Sequence, residues 1–217
     1  MIIISAAICI LTLTSSGKDI IFRATMNSKK QIALTFDDGP HPYRTPQILD
    51  ILDKYNIKAT FFLIGKNVEY YPEVVHREIN SGHEIGNHTY SHAQLNKLQV
   101  DEIKEELSSF ENALSKVSDY QSSIIRPPCG CYSEALCTAA NESNYKIILW
   151  SIDTKDWAHT PVDTISENIL KKVKSGDIIL MHDYIAGDSP TPKVLEIIIP
   201  KLLSEGYEFV TVSELIK

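Results

Sequence analysis

Long apolar runs are nearly absent from this 217-residue chain. The one that stands out, Met1 to Leu13 (MIIISAAICILTL), is shorter than the about 20 residues a membrane-spanning helix needs. No block of five like charges occurs, and the formal net charge is −7. That excludes the basic footprint of a phosphate-backbone binder, so no nucleic-acid partner is expected. Four cysteines are too few for a disulfide scaffold. Internal repeats, low-complexity segments and Gly/Ser/Pro linkers are also missing. What remains is one compact domain with a short appendage. Hydrophobic residues make up 43% and charged residues 23%, which rules out wholesale disorder. The length allows one core that buries roughly 70% of the chain's surface.

Residues 1–17 read as an apolar segment of the signal or anchor type, closed by Thr14-Ser15-Ser16-Gly17. The first basic residue is Lys18, so the usual positive start is missing, and a buried strand is the competing reading. The expectation is an exported protein, extracellular or attached to the cell envelope through this segment. Residues 18–217 form the single domain.

From residue 31 strands and helices alternate. Gln31 to Phe36 places Ile32, Leu34 and Phe36 at period two, then breaks at Asp37-Asp38-Gly39-Pro40. Thr45-Pro46 opens a helix to Asn56. Further strands are predicted at 59–64, 83–86, 123–126, 145–152, 177–182 and 207–212. Asn67 is read as the cap of a helix to Asn80. Val100, Ile103, Leu107, Phe110, Leu114 and Val117 mark an amphipathic helix. Helices are also expected over 133–143, from Thr160-Pro161 to Lys174, and over 192–204, where Pro200 predicts a kink or a new start. Seven strands separated by helices point to an α/β fold with parallel strands and crossover helices.

Sites in parallel α/β folds form at the carboxyl ends of strands. Here the unusual polar groups stand at those ends: Asp37-Asp38, Asn87 to His92, Arg126-Pro127-Pro128, Asp153 to Trp157, and His182-Asp183. His88 and His92 are four apart, and a helical turn would put both imidazoles on one face as a metal clamp requires. With Asp38 they make a two-histidine, one-carboxylate set suited to zinc and acceptable to iron, cobalt or nickel. Adjacent Asp37 and Asp38 repel, which calls for a cation nearby. Two surface histidines and an Asp-Gly-Pro turn account for the same residues without a metal. His182 also fits a satisfied core histidine, Arg126 a loop anchor, and Asp156-Trp157 an exposed loop.

The combination resembles a known family. Thr35–Gly39 (TFDDG), His88–His92 (HTYSH), Arg126–Gly130 (RPPCG), Asp153–Trp157 (DTKDW) and Leu180–His182 (LMH) occur in this order. They are similar to the five motifs of the NodB-type polysaccharide deacetylases, carbohydrate esterase family 4. The resemblance runs from about Gln31 to the end and implies a distorted, incomplete (β/α) barrel of about seven parallel strands. It implies a metal-dependent N-deacetylase of an N-acetylglucosamine polymer, peptidoglycan first and chitin or chitooligosaccharide second. Asp38, His88 and His92 would hold one divalent metal, zinc foremost. Asp37 would be the general base and His182 the general acid. Arg126 would orient Asp37, and Asp156 would tune His182. Trp157 would form part of the groove wall, Leu180 would line the acetyl pocket, and the Cys129 N–H would face the oxyanion. The partner is an N-acetylated glycan, and a monomer is expected. Cys129 departs from the family, which often has an aromatic residue there. Cys129, Cys131 and Cys137 leave a disulfide or a second metal open. A glycan-binding protein without turnover and a two-metal phosphoesterase are the competing classes. The full set of base, acid and ligands disfavours the first, and the lack of a bridging carboxylate disfavours the second.

Overall fold

The computed structural model describes residues 20–25 and 29–217. The apolar segment 1–17, on which the export reading rests, lies outside them. No described helix is long and apolar enough to cross a membrane. In chain order the strands are β1 (Ile20–Ile21), β2 (Gln31–Asp37), β3 (Thr60–Leu63), β4 (Glu84–Asn87), β5 (Ile124–Ile125), β6 (Lys146–Ile148), β7 (Ile152–Asp153), β8 (Ile178–His182) and β9 (Glu208–Phe209). The helices are α1 (Arg44–Lys54), α2 (Gly65–Tyr70), α3 (Pro72–Asn80), α4 (Val100–Ser115), α5 (Glu134–Glu142), α6 (Val162–Lys172), α7 (Thr191–Ser204) and α8 (Val212–Leu215).

The sheet runs β1-β6-β5-β4-β3-β2-β8-β7, with every neighbouring pair parallel. β9 adds to the first two residues of β2, where β8 has not yet begun to pair. This is the curled, incomplete (β/α) barrel that the family resemblance implied, and the parallel α/β fold that the alternation of elements predicted. Period-two alternation decides what faces where. Ile32, Leu34 and Phe36 of β2, Phe61 and Leu63 of β3, and Ile179 and Met181 of β8 join the outer core with α1, α6 and α7. Phe36 and Phe61 stack there, with ring centroids 5.0 Å apart. Ala33, Phe62, Ile124, Ile148 and Ile178 pack instead with Val212 and Leu215 of α8 on the inner face. The Val212 amide donates to the Thr60 hydroxyl at the start of β3, and the Ser213 amide to Glu84 at the start of β4. α8 therefore plugs the amino end of the barrel and leaves the carboxyl end open.

Several local expectations change. Nine strands replace seven among the described residues. β1 was not foreseen, and the predicted strand 145–152 is two strands, β6 and β7, at opposite ends of the sheet order. Residues 149–151 carry the chain across the barrel's gap: the Leu149 amide still bonds Ile21 of β1, and the Ser151 amide already bonds Ile178 of β8. The helix expected over 67–80 is also two, because Pro72 forces Tyr71 out of helical conformation (φ −131°, ψ 54°). Asn67 does not cap; its side-chain amide donates to the Asp38 carbonyl at 2.8 Å. Pro200 does not restart the helix, and α7 runs through it unbroken. It sits on the exposed face, and the Glu196 carbonyl it leaves without a helical partner lies on that face too, where water can reach it.

Gly86 shows how tightly the inner face is packed. A Cβ there would stand 2.3 Å from the Phe62 ring. Gly86→Ala is expected to cost about 1–3 kcal/mol through overpacking, read as a lowered urea midpoint at unchanged slope.

Candidate active site

β2 and β8 are neighbours whose register pairs Asp37 with His182 and Thr35 with Leu180. β3, β4 and β5 continue that level, with Leu63 opposite Asn87 and Asn87 opposite Ile125. His88 and Arg126 each follow one residue later. A one-residue slip would turn these side chains out of the barrel. The strand ends converge on a cavity of about 380 Å³ lined by Asp37, Asp38, His88, His92, Leu180 and His182. Cys129, Trp150, Asp153 and Trp157 complete its wall. A wider groove of about 770 Å³ beside α4 and α5 contains none of these groups.

Arg126 is fully buried. Its Nη1 donates to Asp37 Oδ1 at 2.7 Å and to the Thr35 hydroxyl at 2.8 Å. Nε and Nη2 donate to the carbonyls of Ile148 and Leu149, at the break between β6 and β7. The Phe62 ring lies 4.1 Å from the guanidinium carbon. Burial lowers the Arg126 pKa and the adjacent Asp37 carboxylate opposes that. The ion pair joins β2 to the barrel gap and leaves Asp37 Oδ2 facing the cavity.

Asp38 Oδ1 lies 3.3 Å from His88 Nε2 and 3.2 Å from His92 Nε2. The candidate ligand atoms of the three residues fall within 4.8 Å of one another, the one such group among the described residues. The histidines do not sit on a helical turn, as the four-residue spacing had led us to expect. Residues 88–94 form a loop, and Thr89 (φ 68°) and His92 (φ 61°) take left-handed conformations that turn the second imidazole back to the first. His88 Nδ1 is 2.8 Å from the Arg126 carbonyl, which can only accept, so Nδ1 carries the proton. His88 Nε2 then presents a lone pair to Asp38 Oδ1, a buried oxygen without a hydrogen-bond partner. Three donor atoms that converge this closely fit a divalent cation. Burial alone would raise the Asp38 carboxyl, but the neighbouring imidazoles reverse this and keep it ionised.

On the far side, His182 Nδ1 is 2.8 Å from Asp156 Oδ1, and the His182 amide donates to Asp156 Oδ2 at 2.7 Å. Thr154 and Thr191 hydroxyls donate to the same carboxylate. Burial opposes ionisation of Asp156, and the His182 imidazole outweighs it and lowers the pKa. Burial likewise opposes the charged form of His182. The hydrogen bond and charge of Asp156, with Asp37 and Asp38 beyond, outweigh it and raise the imidazole to about 9.

All ten residues singled out from the sequence therefore occupy one end of the barrel. Trp157 is 53% exposed at the rim, and Leu180 is buried at the floor. Cys129 stands on the wall with φ 58°, and it and Cys131 are free thiols. Trp150 was missed, because it falls inside the predicted strand 145–152, and Asp153 was named in the DTKDW motif but given no role. Asp183 was quoted but given no role. It is fully buried, accepts from the Thr45 hydroxyl, and is raised by burial to about 7. Its carboxylate packs so closely under Gly39 that a Cβ there would stand 2.3 Å away.

The sequence model described as polysaccharide deacetylase matches residues 24–148, more than half of the chain. The chain belongs to the polysaccharide deacetylase family. The deacetylase is 44% identical over 185 residues to a peptidoglycan-N-acetylglucosamine deacetylase of Bacillus cereus, across 85% of this chain and 67% of that one. It is 38% identical to the peptidoglycan-N-acetylmuramic acid deacetylase PdaC of Bacillus subtilis, over 87% of this chain and 39% of PdaC. A crystal structure of a peptidoglycan N-acetylglucosamine deacetylase, in complex with 4-naphthalen-1-yl-N-oxidanyl-benzamide, superposes with a TM-score of 0.87 at 41% identity. That match covers 91% of this chain and 92% of the other.

Removing one partner of the buried pair leaves the other charge uncompensated. Arg126→Met is expected to destabilise the fold by about 3–5 kcal/mol. Adding Asp37→Asn should recover part of that loss, and urea unfolding of both variants checks it.

Proposed function

We propose that the protein removes the acetyl group from N-acetylglucosamine residues of peptidoglycan outside the cell membrane, acting as a monomer with one zinc ion. The observation that carries this reading is that the buried Asp37 carboxylate and the His182 imidazole, held by Asp156, share one cavity with the three-donor cation site. The names of the similar proteins supply the polymer. The two-histidine, one-carboxylate donor set supplies the preference for zinc.

Asp38, His88 and His92 would hold the metal. When bound, it supplies a Lewis acid for the acetyl carbonyl and lowers the pKa of water. Asp37 Oδ2 is the base that takes the proton from the attacking water. Arg126 occupies the other oxygen and orients the Asp37 carboxylate. The Cys129 N–H donates to the oxygen that becomes negative as the carbonyl carbon turns tetrahedral. His182 delivers its Nε2 proton to the departing nitrogen, because an amide nitrogen cannot leave as an anion. Asp156 holds the Nδ1 proton and so fixes which nitrogen faces the substrate. Leu180 closes the floor where the acetyl methyl would sit, and Trp157 offers a face to the sugar ring. Acetate and a glucosaminyl amine are the products.

Incubation with peptidoglycan fragments should release acetate and lower fragment mass by one acetyl per reaction. A chelator should stop this and added zinc should restore it. Release from chitooligomers alone would transfer the reading to chitin, and no release from either would end it.

His182→Ala is expected to retain the metal and lose about 10²- to 10⁴-fold in turnover. The acid must be protonated, so kcat should fall as pH rises through the His182 pKa, about 9 in the metal-free site and lower once a cation offsets the charge of Asp38. Asp156→Asn removes the charge that raises the imidazole, so its alkaline limb should move to lower pH. A pH–rate profile that is identical in the two proteins would remove His182 as the acid.

A further inference from the structure

The second imidazole of the cation site has no helix or strand beneath it. His92 lies on the loop 88–94, and its side chain is 39% exposed. Its backbone is left-handed, with a φ of 61° that costs a residue bearing a Cβ. Something must hold this loop in place. Amides of α2 hold the first half: Gly65 N–H donates to the Thr89 carbonyl and Lys66 N–H to the Tyr90 carbonyl, both at 3.0 Å. The second half is held from α4.

We propose that Glu106 is a positioning residue for the metal site, acting through Ser91. Its Oε2 accepts the Ser91 N–H at 2.8 Å, and its Oε1 accepts the Ser91 hydroxyl at 2.7 Å. One carboxylate thus takes both donors of the residue next to His92. Two charge-assisted bonds to one residue fix its orientation as well as its position. The carboxylate itself is well founded. α4 opens with a capping box between Gln99 and Glu102, and Ile103, Leu107 and Phe110 bury the face that flanks Glu106. Glu106 does not line the cavity, so it touches neither ligand atoms nor substrate.

Without the clamp, the loop would sample arrangements in which His92 is turned away. A site assembled for only a fraction of the time binds with an affinity reduced by that fraction. Partners that hydrogen-bond a metal ligand itself are typically worth about 10- to 100-fold in affinity, and a clamp on the adjoining residue is expected to reach the lower part of that range. The inference rests on the cation reading of Asp38, His88 and His92 given above.

The test is a Co(II) and Zn(II) titration of the metal-stripped full chain, with thermal midpoints measured with and without metal. Glu106→Ala is expected to weaken binding about 10-fold and to shrink the rise in midpoint that metal produces. Glu106→Gln, which keeps an acceptor for Ser91, should recover part of the affinity. Ser91→Ala should weaken binding in the parent and add little in Glu106→Ala. A merely structural role would lower both midpoints together and leave metal affinity unchanged. Affinity of Glu106→Ala within twofold of the parent would overturn the proposal while leaving the cation site intact. A parent chain that binds neither ion would overturn both.

Discussion

The ion pair between Asp37 and Arg126 is the constraint around which the active end of the barrel is organised. A buried guanidinium is costly to desolvate, and an isolated one would not be tolerated. Here every side of it is used. Asp37 and the Thr35 hydroxyl lie on β2, the carbonyls of Ile148 and Leu149 mark the end of β6, and the Phe62 ring covers one face. The carbonyls it bonds belong to the segment that leaves the sheet to cross the barrel's gap. The same residue therefore completes the hydrogen bonding of an unclosed barrel and holds Asp37, the proposed base. Its own carbonyl sets the tautomer of His88, so base and cation site share one anchor.

Two carboxylates do opposite work through their surroundings. Asp37 is held through Oδ1 by a permanent cation, which leaves Oδ2 to the cavity. Asp156 faces an imidazole and accepts from Thr154 and Thr191, and it keeps that imidazole protonated. The register of β2 against β8 sets Asp37 opposite His182, the pair proposed as base and acid. Groups whose environments push their proton affinities apart can serve as acid and base in one turnover. The open carboxyl end gives a glycan access, and α8 seals the other end against water.

Much of this was legible in the residues. The alternation of Ile32, Leu34 and Phe36 located β2 and, by the same period, sent Thr35 and Asp37 to its other face. The polar groups just past the strands marked the carboxyl ends, because parallel strands all deliver their ends to one side. What was not legible depended on partners distant in sequence. Leu149 to Ser151 look like strand and break because the gap falls there. The spacing of His88 and His92 looks helical, yet two left-handed residues bring the imidazoles together. Asn67 looks like a cap and instead holds the Asp38 carbonyl. In each case local propensity is worth less than the hydrogen bonds and burial that tertiary contacts offer.

The order of strands and helices, the outward hydrophobic face and the residues of the candidate cation site are legible in the sequence alone, through periodicity and the residue types able to bind a metal. The roles of base and acid came from the resemblance of five motifs to a known family. Which groups meet was decided by the tertiary structure. Strand register, a curled sheet that stays open, and a buried arginine spanning the opening set distances of about 3 Å between side chains far apart in the chain. Contacts that short arise only when several elements pack at once, and no local pattern encodes them.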